Sequence, residues 1–158
     1  MGLNHEHLGV YLNDHLAGSA AALEVLDVLE DVPGFKLWVG HLRREITADR
    51  QELQNLMSSL QITEGPIRKL VGKLAGTAGE IKTRLEDPSG GPLRQLELLE
   101  TLSLGIEGKR TLWVTLQTIS SADSRLPVHD YDRLIGRAAE QRQEVEMRRL
   151  DVAAAALS

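Results

Sequence analysis

Between residues 38 and 60, positions turned at 100° per residue bring Trp38, Leu42, Ile46, Leu53, Leu56, Met57 and Leu60 onto one stripe. Such a stripe marks a helix with one face in a core. Two carboxylates interrupt it: Asp49 near its centre and Glu45 one step to the side. Soluble helices keep their acids on the opposite face, so inward acids mean a metal site, a buried ion network or a shifted helical register.

The same periodicity places four further helices. The first is expected from about residue 5 or 7 to 30, with Leu8, Leu12, Leu16, Ser19, Leu23 and Leu26 inward and Asn4 as N-cap. His15 falls on its apolar side and Asp14 points away, so the two do not share a face. Asp31-Val32-Pro33-Gly34 ends it, and the second helix follows over about 35–60. A third, shorter helix is expected over about 66–85, with Ile67, Leu70, Leu74, Ala78, Ile81 and Leu85 on one side. Gly72, Gly76 and Gly79 line its other side, and each costs roughly 1 kcal/mol relative to Ala. This segment also carries a basic strip, Arg68, Lys69, Lys73, Lys82 and Arg84 against Glu80; it reads as a solvated face before it reads as a phosphate site.

After a Pro- and Gly-rich loop, the fourth helix is expected over about 92–120 and is apolar nearly all round. Leu93, Leu96, Leu99 and Val114 are read as facing one way and Leu98, Leu112 and Leu116 the other, so that it is covered on both sides. Glu100, Glu107 and Arg110 fall within about 80° of one another on it. The fifth helix, about 131–156, is capped by Asp130 and carries Leu134, Ala138, Val145 and Val152, interrupted by Gln141 and Arg148. No segment reads as a strand, so the expected fold is all-α: a single domain over 1–158, a four-helix bundle with an additional shorter crossover helix.

Composition narrows the function classes. One Phe, two Trp and two Tyr among 158 residues imply an aliphatic core. The absence of Cys excludes disulfides, thiolate metal sites and cysteine nucleophiles. A net charge of −5 argues against a general nucleic-acid partner, and no apolar run is long enough for a membrane span. The first residues lack a basic region followed by an apolar run, which makes the cytoplasm the expected compartment. Neither a Ser-His-Asp set nor a Gly-rich phosphate loop is legible. His5-Glu6-His7 reads as a polar helix start, and His41 and His129 as surface residues.

Two long helices, a short one and two more long ones, with acids turned inward, resemble the ferritin-like superfamily. The segment YLNDHLAGSAAALE is similar to the first helix of small uncharacterised bacterial members. The resemblance implies two antiparallel helix pairs joined by a crossover. It also implies a di-iron motif of one Glu on each of two helices and Glu-x-x-His on the other two. That motif is not met: the residue three after Glu45 is Ala48, after Glu100 Ser103, after Glu107 Arg110 and after Glu140 Gln143. The fold carries over and the ligands do not.

The inward polar residues are therefore His15, Glu45, Asp49, Glu100, Glu107, Arg110, Gln141 and Arg148. In the favoured reading Arg110 and Arg148 neutralise the acids, which leaves a cofactor-free, non-enzymatic scaffold or interaction protein. The alternative is a divergent carboxylate-bridged oxidase or peroxide-handling protein, with the four acids and His15 holding iron or manganese. The apolar surplus of the fourth helix makes a homodimer the expected assembly.

Overall fold

The computed structural model describes residues 2–65, 91–127 and 129–158. Its elements are four helices, and no strand occurs among the described residues. They are α1 (His5–Leu29), α2 (Lys36–Ser59), α3 (Pro92–Ser120) and α4 (Tyr131–Leu157). The boundaries expected from periodicity hold to within one or two residues. The helix expected over 66–85, with its glycines and its basic strip, lies outside the described residues.

Local chemistry sets where the helices begin and end. The Asn4 carboxamide oxygen accepts from His7 N–H at 3.0 Å, and the Asp130 carboxylate caps α4 through Arg133 N–H at 3.1 Å. Pro92 opens α3, where its missing N–H is not needed. The end of α2 is a Schellman turn: Ile62 N–H reaches Met57 O at 2.9 Å and Gln61 N–H reaches Ser58 O at 3.0 Å. Gln61 holds the left-handed conformation, φ 55°, that glycine more often supplies. Ile62 is buried against the same cluster as Met57, so the turn is fastened by an apolar contact as well as by hydrogen bonds.

Two apolar clusters fix the directions of the helices. One gathers Leu8, Leu12 and Leu16 from α1, Leu53, Leu56 and Met57 from α2, Leu112, Trp113 and Leu116 from α3, and Tyr131 and Leu134 from α4. The other gathers the late part of α1, the early part of α2, the early part of α3 and the later part of α4. Thus α1 runs antiparallel to α2, α3 runs parallel to α2, and α4 returns antiparallel to α3. The packing is closest between α3 and α4, then between α1 and each of α2 and α3. Because α2 ends beside the first cluster and α3 starts beside the second, the chain leaves one end of the bundle and re-enters at the other. This is a four-helix bundle with one long crossover connection.

The structure corrects the reading of α3. Leu96, Leu98, Leu99, Leu102, Ile106, Leu112, Trp113 and Leu116 are all buried, while Leu93 and Val114 are exposed. Leu96 and Leu112 face nearly opposite ways, as expected, but they are the two edges of one continuous buried arc of about 200°, from which Leu93 and Val114 are left out. So wide an arc follows from the position of α3, which packs on both α1 and α4. No described helix is long and apolar enough to cross a membrane.

Candidate functional site

The two apolar clusters meet at a polar layer to which α2, α3 and α4 contribute. On α2, Asp49 sits between Ile46 of one cluster and Leu53 of the other; on α3, Lys109 sits between Ile106 and Leu112. On α4, Arg137 and Gln141 lie between Leu134 and Val145. Asp49 is 2% exposed and Gln141 1%. The Lys109 ammonium donates to Asp49 Oδ2 and to Gln141 Oε1, and the Arg137 guanidinium pairs with Asp49 Oδ1. Gln141 Nε2 closes the ring by donating to Asp49 Oδ2 at 3.1 Å. A carboxylate in this position loses nearly all its hydration, and two cations and an amide replace that hydration.

The cations are not the ones expected from the sequence. Arg110 donates instead to Glu107 on its own helix, with contacts of 2.8 to 3.1 Å, and both side chains are about a third exposed. Arg148 lies two turns beyond Gln141, about 10 Å along the helix axis. There its guanidinium stacks on the Trp38 ring at 4.1 Å, and Nη1 donates to Glu144 O. Glu100 is half exposed and pairs with Arg149 at 3.6 Å. Glu45 contacts His41 at 3.5 Å near the surface, and it acts on Lys109 only through its field. Of the eight inward candidates, the structure therefore brings only Asp49 and Gln141 together in the buried layer, and pairs Glu107 with Arg110 near the surface. Among the described residues no three His, Asp or Glu side chains converge as a metal-ligand group would.

Lys109 and Arg137 were missed because lysine and arginine are discounted as core residues. Their spacing carries the signal. Leu102, Ile106, Lys109, Trp113 and Leu116 follow the alternating steps of four and three that keep one face inward, with Lys109 in the middle of the buried arc. Arg137 is three residues after Leu134 and four before Gln141. His129, expected at the surface, is instead largely covered and lies 3.0 Å from Glu52, which also accepts from Arg133.

Burial pushes the Lys109 ammonium below its ordinary pKa, and the adjacent Asp49 carboxylate opposes that shift. Its side chain is 15% exposed and that of Arg137 22%, so both cations keep an edge toward water while Asp49 does not. His15 on α1 is half-buried, with its ring edge-to-face with Tyr11 at 4.7 Å. Desolvation lowers its pKa below 6.5, only partly opposed by Asp14, so the imidazole is neutral at pH 7. On the same side Arg50 reaches across from α2 to α1, donating to Leu16 O at 2.7 Å and Ser19 Oγ at 2.6 Å.

A cavity of about 200 Å³ opens beside the polar layer, between α1, α2 and α3. His15, Asp49, Arg50, Lys109 and Trp113 line it, together with Ile46, Leu53 and Ile106. Gly18 and Gly105 stand at its rim, with no atom of the described residues within 4 Å of where a Cβ would be. The missing side chains leave the space between α1 and α3 open above the layer. Neither a nucleophile with its base nor a phosphate-binding loop stands there; the cavity offers an apolar body with a polar floor.

No family model, no curated protein and no solved structure matches this chain.

Proposed function

We propose that the protein is a metal-free member of the ferritin-like class, a cytoplasmic scaffold or interaction protein that works by binding rather than by turnover. The observation that carries this reading is the state of Asp49. Its two oxygens are already engaged by Lys109, Arg137 and Gln141. A divalent cation at that carboxylate would have to displace one ammonium or guanidinium and then tolerate the other nearby. The single long crossover and the two antiparallel pairs support the ferritin-like assignment, because that topology is shared with its carboxylate proteins.

The test is metal analysis of protein purified without a histidine tag, after growth with iron and manganese supplied. The expected content is well below one metal per chain. Stoichiometric iron or manganese that disappears in Asp49→Asn and Glu45→Gln would overturn the proposal in favour of a divergent oxidase. The proposal includes self-association as a homodimer through the outer face of α3, where Leu93 and Leu104 are 54% and 73% exposed. Light scattering over a wide concentration range checks it, and a constant mass near 17.4 kDa would refute the dimer.

A further inference from the structure

Two of the residues that line the cavity beside the polar layer carry hydrogen-bond donors with no acceptor among the described residues. A lysine ammonium has three N–H groups. Asp49 and Gln141 take two of those on Lys109, which leaves one with no acceptor among the described residues. Trp113 is 1% exposed, and its Nε1–H is also buried without an acceptor among the described residues. An unsatisfied buried donor is costly, and native interiors seldom leave one without a partner. Lys109 and Trp113 are four residues apart on one helix, so they are stacked neighbours on the same face, and both line the cavity. Opposite them lie Ile46, Leu53 and Ala22, which are apolar.

We propose that this cavity is a binding site for a small ring-sized monocarboxylate, with the carboxylate held by Lys109 and Trp113 and the ring lying among the apolar residues. The inference deepens the metal-free reading and rests on it, because Lys109 must occupy the place next to Asp49. Size and the two donors without acceptors select the ligand. A cavity of about 200 Å³ exceeds the roughly 150 Å³ that admits benzene in an apolar interior, which leaves room for one short substituent. An ammonium donor binds an anionic acceptor more strongly than a neutral one. Arg50, whose hydrogen-bond partners Leu16 O and Ser19 Oγ are uncharged, adds a second positive charge at the wall, where it and Lys109 face the carboxylates of Asp14 and Asp49. Gly18 and Gly105 at the rim give the ring a way in from solvent.

Benzoate is the probe, with benzyl alcohol as the neutral analogue of similar shape. Calorimetric titration in the presence of a chelator should show saturable binding of one benzoate per chain, with benzyl alcohol at least about tenfold weaker. Trp113→Phe keeps the ring and removes the donor, and should weaken benzoate roughly tenfold. Gly108→Met places a side chain at the cavity wall, where no atom of the described residues lies within 4 Å of the added Cβ. It should abolish binding while leaving the helical circular-dichroism spectrum intact, and it carries the test if Trp113→Phe does not fold. No saturation by roughly 10 mM benzoate overturns the inference. Equal affinity for benzyl alcohol, or unchanged benzoate affinity in Gly108→Met, overturns it as well. Metal analysis of the same preparation separates the two readings: metal-free protein that ignores benzoate defeats only this inference, whereas stoichiometric metal at Asp49 defeats both.

Discussion

Replacing Asp49 by alanine tests the polar layer directly. The carboxylate is 2% exposed and is the only anion in contact with either Lys109 or Arg137 among the described residues. Its removal strands two cations and takes an acceptor from Gln141. Breaking one buried pair costs about 3–5 kcal/mol, most of it from the charge left without a partner. Lys109 and Arg137 keep 15% and 22% of their side-chain surface and can partly turn toward water, which places Asp49→Ala at the lower end, about 3 kcal/mol. For a chain of this length that corresponds to a fall in Tm of roughly 6–12 °C. Lys109→Met should cost less, about 1–2 kcal/mol, because Arg137 still neutralises the carboxylate. The double variant should be more stable than the sum of the single effects allows, with a coupling of about 1–3 kcal/mol. Urea denaturation of the four proteins, with a common m-value, measures each quantity. Strict additivity, or a Tm for Asp49→Ala within about 1 °C of the parent, would place Asp49 in solvent and refute the layer.

Other consequences are as specific. His15 is kept neutral by burial, so its folded pKa lies below 6.5. The unfolded chain then binds more protons than the folded one, so this contribution is complete above pH 6.5 and is lost as pH falls through the folded pKa. His15→Gln should flatten the decline in stability between pH 7 and 5 relative to the parent, and parallel declines would contradict the assignment. Gln61→Gly relieves a left-handed backbone at the end of α2 and should raise stability by about 0.5–1 kcal/mol; a loss would show that the Gln61 side chain contributes more than its φ costs. Gly105→Ala, with nothing near its Cβ, should add a similar amount through helix propensity, and a fall in Tm would point to a contact at that rim. Arg148→Ala should cost about 1 kcal/mol and shift Trp38 fluorescence, since the guanidinium covers that ring; an unchanged spectrum would remove the stacking.

The sequence by itself determined the helices and most of the faces they bury. Apolar spacing, the Asn4 and Asp130 caps and the Pro-Gly breaks are local signals, acting within one or two turns, so they survive without any knowledge of neighbours. The inward turn of Asp49 and Gln141 was legible in the same way, as a polar residue at a stripe position. What no stripe records is which cation arrives opposite a carboxylate. Arg110 and Arg148 lie on or beside inward faces, yet Arg110 folds back on Glu107 and Arg148 stops about two turns away over Trp38. Lys109 and Arg137 reach Asp49 because α3 and α4 bring those turns to the level of Asp49. The register between helices comes from the interlock of two apolar clusters, a property of all four helices together. The cavity has the same origin: Gly18 and Gly105 are unremarkable on their own helices and leave an opening only because α1 and α3 pass each other at those residues.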